Sequence, residues 1–343
     1  MTLATTDPDM DAAAADAFSI ADIDAAAQRV TGIVRRTPLL ESIRLNDRRG
    51  ARLLIKAECL QHTGSFKFRG AYNRLSAMTP AERARGILTY SSGNHAQGVA
   101  LAARMFGVPA TIIMPADAPA MKRRNTAEYG ATVVTYDRHG ENREAIGARL
   151  AEADGLTLVK PYDDLMIMAG QGTVGLETVA QCRELDAVPD LALAPAGGGG
   201  LMAGFSTAMK ATFPAVQVMS AEPEGYDDTA RSLAAGRRLS NTGTPPSICD
   251  AIMTPSPGEL TFAGNRKTLS GGVVVSDAEA RQAMATAFEE LKLVIEPGGA
   301  VALAAVLSGH VDVAGRTVVV VASGGNVDAA VFADALALKG RAT

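Results

Sequence analysis

The chain has 343 residues, of which 47% are hydrophobic and 20% charged, and its formal net charge is −4. Such a length can form two lobes with separate cores, and the composition is that of an ordinary globular protein. Aromatic residues make up 4% of the chain, Trp is absent and no long basic run occurs, so we expect no nucleic-acid partner. Apolar runs such as residues 300–307 are too short to cross a bilayer, so we expect no membrane partner.

The cysteines and the N-terminal residues indicate the compartment. Cys59, Cys182 and Cys249 are far apart and form no Cys-x-x-Cys pair, which is typical of free thiols in a reducing environment. The N-terminal segment is rich in Ala and Asp and has no Lys or Arg before Arg29, so neither a signal peptide nor an Arg-rich transit peptide fits. We therefore predict a cytoplasmic protein with a disordered tail over residues 1–18.

Hydrophobic periodicity predicts alternating strands and helices in the first half of the chain. Apolar residues at helical spacing predict a first helix over residues 19–34, and a strand follows over residues 52–58. The further predicted strands are residues 86–90, 110–114, 131–136 and 156–159, and the further helices are residues 66–78, 94–106 and 141–153 and a helix after Ala120.

The second half continues this alternation. The predicted strands are residues 190–195, 216–221, 272–275 and 317–322, and the predicted helices are residues 201–213 and 277–291. Residues 222–256 contain several Gly, Pro and Asp and are predicted to be rich in loops. The alternation predicts an α/β fold with mostly parallel sheets.

One lysine has unusual neighbours. The stretch Gln61-His62-Thr63-Gly64-Ser65-Phe66-Lys67-Phe68-Arg69-Gly70 places Lys67 between two aromatic residues at the predicted start of a helix. A lysine that forms a Schiff base works best in partly dry surroundings, because these favour the neutral amine. The simpler interpretation is a surface lysine at the start of a helix.

A glycine-rich loop joins a predicted strand to a predicted helix. It consists of Gly197, Gly198, Gly199, Gly200 and Leu201. Backbone N–H groups in such a loop converge at the positive end of the helix and suit a phosphate. The segment Gly198-x-Gly200-x-x-Ala203, followed by Glu222 at the end of the next strand, also satisfies the dinucleotide-binding pattern, so a nicotinamide-dependent oxidoreductase is an alternative.

Two further motifs join these in a fixed order. They are Ser91-Ser92-Gly93-Asn94-His95 and Ser323-Gly324-Gly325-Asn326. Together with Lys67 and the glycine loop they resemble the fold-type II pyridoxal-phosphate (PLP) enzymes, most closely the threonine/serine dehydratase and serine racemase branch, over about residues 37–328. The resemblance implies a two-lobed α/β fold like that of the tryptophan synthase β subunit, in which each lobe is an open, mostly parallel twisted sheet flanked by helices.

The resemblance also implies the lobes and the cofactor site. A large PLP-binding lobe would comprise residues 19–60 and 159–343, and a small mobile lobe residues 61–158, with PLP in the cleft between them. Lys67 would bind PLP as a Schiff base, Phe66 and the glycine loop would line the cofactor site, Asn94 would bind the 3′-hydroxyl, and Ser323 the pyridine nitrogen. Glu296 would lie near the ring.

Substrate and cation contacts are implied in the same way. Ser91, Ser92, Gly93, Asn94 and His95 would form the loop that binds the substrate carboxylate, and Arg143 would be a second contact on the carboxylate side. Ser92 would face the side of Cα opposite Lys67, where it could exchange a proton. Glu222, the backbone carbonyl of Tyr226, and Asp228 resemble a site for Mg²⁺ or Ca²⁺, which prefer oxygen ligands.

The function implied by the resemblance is PLP-dependent β-elimination of L-threonine or L-serine, which gives a 2-oxo acid and ammonia. Ser92 leaves a serine or hydroxyaspartate racemase open, and phenylserine and 3-hydroxyaspartate are alternative substrates for elimination. The segment Lys160-Pro161-Tyr162-Asp163-Asp164 is more similar to bacterial threonine dehydratases than to animal racemases, which favours the dehydratase. The relatives imply a homodimer or homotetramer.

Overall fold

The computed structural model describes residues 18–137, 140–242 and 246–339, with the side chains of residues 144, 338 and 339 excepted. Of the predicted tail, residues 1–17 lie outside the described residues. The described chain forms two sheets flanked by helices, which confirms the predicted α/β class.

The larger sheet has six strands, and all but the first run parallel. In spatial order they are β1 (Leu39–Leu40), β2 (Arg52–Ala57), β10 (Thr317–Ala322), β7 (Leu191–Pro195), β8 (Gln217–Pro223) and β9 (Gly271–Val275). Strand β1 pairs with β2 in antiparallel fashion. The smaller sheet is wholly parallel, in the order β5 (Thr132–Tyr136), β4 (Ala110–Pro115), β3 (Ile87–Tyr90) and β6 (Thr157–Leu158).

Helices cover both faces of each sheet. In the first half of the chain they are α1 (Ile20–Val30), α2 (Ile43–Arg49), α3 (Lys67–Ser76), α4 (Pro80–Arg85), α5 (Asn94–Phe106), α6 (Ala120–Glu128), α7 (Arg143–Asp154) and α8 (Leu165–Glu184). In the second half they are α9 (Gly200–Thr212), α10 (Asp228–Ala235), α11 (Glu259–Thr268), α12 (Asp277–Leu291), α13 (Pro297–Leu307) and α14 (Ala329–Lys339). Short 3₁₀ turns span Glu58–Leu60, His62–Gly64 and Asp250–Ile252. Within the described ranges, no helix combines the length and the apolar character needed to cross a bilayer.

Strand β10 shows why the large sheet forms. Its four consecutive valines are fully buried, and they alternate between the two faces of the sheet. Val318 and Val320 pack into the core beneath α12 and α13, whereas Val319 and Val321 pack into the core beneath α8 and α9. A run of β-branched residues that is buried on both faces is typical of a central parallel strand. The same register brings the carboxyl ends of β10 and β7 to one edge of the sheet.

The longest described helix, α8, was not predicted from the sequence. Its interior contains Gly170, Gly172 and Gly175, which usually weaken a helix. These glycines permit close packing here: a Cβ added at Gly170 would lie 2.6 Å from the Cα of Gly70 on α3, and one added at Gly204 on α9 would lie 2.5 Å from the backbone nitrogen of Gly172. The glycines are therefore contact points between helices, not breaks in a helix.

The described part of residues 222–256 is rich in loops, as predicted, and it also contains helix α10, which was not predicted. Periodicity also predicted none of α2, α4, α11, α13 and α14. Helices α2 and α4 are short, and α13 and α14 are almost uniformly apolar. The lobe boundaries at residues 61 and 159 and the mobility of the small lobe stay predictions.

Candidate active site

One cavity lies where the carboxyl ends of β3, β7 and β10 meet. Fourteen of the predicted catalytic, cofactor and substrate residues line it: Phe66, Lys67, Ser91, Ser92, Gly93, Asn94, His95, Arg143, Gly197, Gly198, Gly199, Gly200, Leu201 and Ser323. The remaining lining residues were not predicted from the sequence; they are Tyr90, Pro161, Tyr162, Pro195 and residues 250–255. Glu296 lies behind the cavity wall, and Glu222 and Asp228 lie elsewhere.

The lysine loop is attached to the end of β10. The backbone N–H of Phe66 donates to the carbonyl of Ser323 at 3.1 Å, and Ser65 forms an antiparallel bridge with Gly324. Because Lys67 is the first residue of α3, this attachment fixes its position relative to the hydroxyl-bearing Ser323 at the edge of the large sheet. The first and last motifs of the sequence are thus brought together by backbone hydrogen bonds.

Lys67 lies in partly dry surroundings. Its Nζ donates to the carbonyl of Pro161 at 2.8 Å and lies 5.2 Å from the centroid of the Phe66 ring. Burial disfavours the charged ammonium and lowers the pKa of Lys67 to about 8. A useful fraction of the amine is therefore neutral near physiological pH, as a lysine that bonds to an aldehyde requires.

The glycine loop forms an anion site at the start of α9. Gly199 is the N-cap of the helix and has a φ of 91°, a backbone conformation that residues other than glycine rarely adopt. The carbonyls of Gly198 and Gly199 accept hydrogen bonds from Thr261 Oγ1 at 2.6 Å and Asn265 Nδ2 at 3.3 Å, so α11 fixes the loop. The first N–H groups of α9 have no partner within the helix and suit a phosphate.

Tyr162 covers this loop. A Cβ added at Gly198 would lie 2.3 Å from the Tyr162 ring, so the ring packs against the backbone of the loop. The pKa of the Tyr162 hydroxyl is raised by burial, and the positive charge of Arg143 offsets only part of this rise. Arg143 itself, the first residue of α7, holds its guanidinium carbon 5.1 Å from the centroid of the Tyr90 ring.

Asn94 is held by hydrogen bonds on both sides of its amide. Its Nδ2 donates to Glu296 Oε1, and its Oδ1 accepts from Asn326 Nδ2 at 2.8 Å. Asn326 Nδ2 also donates to the carbonyl of Thr63 at 2.7 Å, which links Asn94 to the lysine loop. His95, the next residue, remains neutral because burial and the charge of Lys67 lower its pKa to about 3.

These features fit PLP. The cavity offers an amine of lowered pKa for the aldehyde, unpaired N–H groups at a helix start for the phosphate, and a hydroxyl at the end of β10 for the ring nitrogen. Asn94 lies on the wall formed by the small sheet. Lys67, residues 197–201, Ser323 and Asn94 would therefore hold the cofactor, although their individual roles stay predictions.

A buried charge network anchors the helix that carries Lys67. The guanidinium of Arg69 donates to both carboxylate oxygens of Glu58 at 2.8 Å and to those of Glu177 at 2.7 and 2.8 Å. Lys56 Nζ also donates to Glu177 at 2.8 Å. The side chains of Arg69, Glu58 and Lys56 are fully buried. The network joins α3, which carries Lys67, to β2 and α8.

The predicted cation ligands lie together, but outside the cavity. The Glu222 carboxylate accepts the backbone N–H groups of Thr229 and Ala230 at 2.8 Å each. It is therefore occupied by the start of α10, which disfavours the ribose contact of the dinucleotide alternative. Asp228 Oδ1 accepts from Asn241 at 2.6 Å, and Asp228 Oδ2 is buried without a hydrogen-bond partner.

The charges of these two carboxylates are poorly compensated. Burial and the proximity of Asp228 raise the pKa of Glu222 to about 8, and burial raises that of Asp228 to about 6. An oxygen-binding cation would relieve both effects, although the described residues include no cluster of three His, Cys, Asp or Glu side chains suited to a metal. The cation site stays a prediction.

Comparison with known proteins agrees with this geometry. Residues 30–324 match the family described as pyridoxal-phosphate dependent enzyme. The L-threo-3-hydroxyaspartate ammonia-lyase of Pseudomonas sp is 43% identical over 315 residues, which are 92% of this chain and 97% of that protein.

Two solved structures are also similar. The threonine deaminase of T.th. is 44% identical with a TM-score of 0.85, over 90% of this chain and 99% of that one. Maize serine racemase is 36% identical with a TM-score of 0.87, over 95% of this chain and all of that one (100%). The predicted fold type and cofactor are confirmed. The family match runs from the last residue of α1 to the Gly324 that follows β10, and the chain belongs to the pyridoxal-phosphate dependent enzymes.

Proposed function

We propose that the protein is an ammonia-lyase that dehydrates and deaminates L-threo-3-hydroxyaspartate, giving oxaloacetate and ammonia. The observation that carries this proposal is the guanidinium of Arg143 in the cavity wall. Among the described lining residues, Lys67 and Arg143 are the cationic ones, because His95 is neutral. Since Lys67 would bind the cofactor, we assign the second carboxylate of the substrate to the guanidinium of Arg143.

Sequence identity alone does not select the substrate. The hydroxyaspartate ammonia-lyase and the threonine deaminase are almost equally similar, at 43% and 44%. Their substrates differ in one group, which is a carboxylate in 3-hydroxyaspartate and a methyl group in threonine. A methyl group gains nothing from a guanidinium, whereas a carboxylate gains charge-assisted hydrogen bonds from it.

The chain's own residues account for the remaining steps. The loop of residues 91–95 leads into the start of α5, where N–H groups suit the α-carboxylate of the substrate. Lys67 would hold the cofactor through its amine and, when that amine is free, would accept the Cα proton, for which its lowered pKa is suited. The Cα proton and the β-hydroxide leave the substrate as one water in total, and addition of one water to the resulting imine releases oxaloacetate and ammonia. PLP, when bound, supplies electron withdrawal from Cα.

L-threonine and L-serine are the second candidates, favoured by the similarity to threonine deaminase. The test is kcat/KM for release of 2-oxo acid and ammonia from L-threo-3-hydroxyaspartate, L-threonine and L-serine. It uses the wild type, Arg143→Gln, and Arg149→Gln as the matched control, because Arg149 is exposed on the same helix. Lys67→Ala should be inactive with every substrate.

We expect 3-hydroxyaspartate to be preferred by the wild type. Arg143→Gln should lower kcat/KM for it by about 10- to 100-fold, the range expected for a lost hydrogen bond between charged groups, and leave threonine nearly unchanged. An equal loss for all three substrates would assign Arg143 to the α-carboxylate and remove the support for a dicarboxylate. Exchange of the Cα proton with inversion, dependent on Ser92, would instead establish the racemase.

A further inference from the structure

Lys122 forms ion pairs that connect the small-sheet side of the cleft to the large-sheet side. It lies on α6, next to the small sheet, and its side chain is 1% exposed. Its Nζ donates to Asp250 Oδ2 at 2.8 Å and to Glu296 Oε2 at 3.0 Å. Asp250 belongs to a 3₁₀ turn in the cavity wall, and Glu296 immediately precedes α13 against the large sheet. The ammonium therefore bridges the two sides of the cleft.

The stem of Lys122 supports the substrate loop. A Cβ added at Gly93 would lie 2.5 Å from Lys122 Cδ, so the lysine chain packs directly against the backbone of this loop. Gly93 immediately precedes α5, whose first residue is Asn94. The position of Lys122 is thus coupled to the residue that faces the cofactor site.

Glu296 links Lys122 to Asn94, because its carboxylate accepts hydrogen bonds from both. An ionised carboxylate can only accept hydrogen bonds, so Asn94 must turn its Nδ2 toward Glu296 and its Oδ1 toward Asn326. A second N–H of the same Nδ2 is then left for a neighbour. The amide of Asn94, which is 8% exposed, has one orientation as long as Glu296 remains ionised.

Glu296 would not remain ionised without a cation. Burial holds the pKa of Glu296 above its ordinary value, and Asp250 adds repulsion. The charge of Lys122 is the largest influence that opposes this rise, and the hydrogen bond from Asn94 adds to it. A carboxylate that is buried without a partner takes up a proton, because desolvation penalises its charge. A protonated Glu296 could donate, and the orientation of the Asn94 amide would no longer be fixed.

We propose that Lys122 is a positioning residue that keeps Glu296 an acceptor, and thereby orients the Asn94 amide toward the cofactor while joining the two sides of the cleft. The proposal rests on binding of PLP in this cavity and not on the choice of substrate.

The test compares holoenzymes by the dissociation constant of PLP and the absorption band of the bound cofactor. The variants are Lys122→Met, Lys122→Arg, Glu296→Gln and the double variant Lys122→Met/Glu296→Gln, with Lys267→Met as the control, because Lys267 is exposed on α11. We expect Lys122→Met to raise the PLP dissociation constant about tenfold or more and to shift the band. Lys122→Arg and the control should resemble the wild type.

The double variant separates charge from packing. A glutamine in place of Glu296 has no charge and can both donate and accept, as a protonated Glu296 can. If Lys122 acts through the charge of Glu296, Glu296→Gln alone should lose about as much PLP affinity as Lys122→Met, and the double variant should lose no more than about threefold beyond either one. Wild-type affinity and band in Lys122→Met would overturn the proposal, and so would a double variant in which the losses of the two single variants add. Should Lys122→Met not fold, Lys122→Gln against Lys122→Arg makes the same comparison, with loss expected only in the former. Substrate preference does not enter these readouts, so this proposal and the proposed function fail separately.

Discussion

Attachment of PLP to Lys67 should depend on pH with a midpoint near 8. Burial lowers the pKa of Lys67 to about 8, and only the neutral amine attacks an aldehyde. At pH 7 about one lysine in ten is then neutral, against about one in 2,500 for a solvated lysine of pKa 10.4. The structure therefore predicts a rate of attachment about 200-fold higher at pH 7 than that of an otherwise equal solvated lysine.

Rapid mixing of PLP-free enzyme with excess PLP measures this rate through the absorbance of the bound cofactor. The experiment covers about pH 6.5 to 10 and is repeated with Nα-acetyl-lysine amide, which reports the ionisation of PLP itself. The ratio of the two rates isolates the protein's contribution, and Lys67→Ala shows the background. We expect the enzyme's rate to rise tenfold per pH unit below pH 7 and to level off above about pH 8.5.

A rate that still rises tenfold per unit between about pH 8.5 and 10 would refute the reasoning. It would mean that water reaches Lys67 Nζ freely, and that its contacts with the Pro161 carbonyl and the Phe66 ring do not exclude solvent.

Two further predictions concern stability. Arg69→Met removes the guanidinium partner of the buried Glu58 and should lower the free energy of unfolding, measured in urea, by about 3–5 kcal/mol. The control Arg124→Met removes an exposed ion pair with Glu128 and should lower it by less than about 1 kcal/mol. A loss below about 1 kcal/mol for Arg69→Met would contradict a stabilising role for this network. Mg²⁺ or Ca²⁺ should raise the midpoint of thermal unfolding above that in Na⁺ at equal ionic strength, because a cation would offset the buried charges of Glu222 and Asp228. This rise should vanish in Asp228→Asn. An equal rise in the variant would place the ion elsewhere.

The sequence predicted the functional residues that directly follow a strand or begin a helix. Ser323 directly follows β10, Ser91 directly follows β3, and one residue separates Gly197 from the end of β7. Because the neighbouring parallel strands β7 and β10 end at the same edge, their motifs could be expected to meet once the alternation of strands and helices was recognised. Asn94 and Lys67 likewise begin helices whose starts were predicted to within one residue.

The parts of the site that were missed depend on contacts without a local pattern. Lys122 was missed because its partner Glu296 is 174 positions away, and no local pattern indicates that the two pair. Residues 250–255 line the cavity from a stretch rich in Gly, Pro and Asp, where pattern indicates only a loop. Helix α8 was missed because close packing against α3 and α9 requires glycines, and this tertiary requirement overrides helix propensity.

The glycine contacts of α8 affect how inactive variants should be interpreted. Helix α3 lies between α5 and α8, and a Cβ at Gly98 on α5 would lie 3.1 Å from the backbone of Phe68. A side chain at Gly98 or Gly170 would push α5 or α8 away from α3, which carries Lys67. One at Gly204 would push α9 away from α8, although none of the three glycines lines the cavity. A mutational scan scored by activity would therefore mark them as strongly as catalytic residues, and only a parallel measurement of folded protein would separate the two groups.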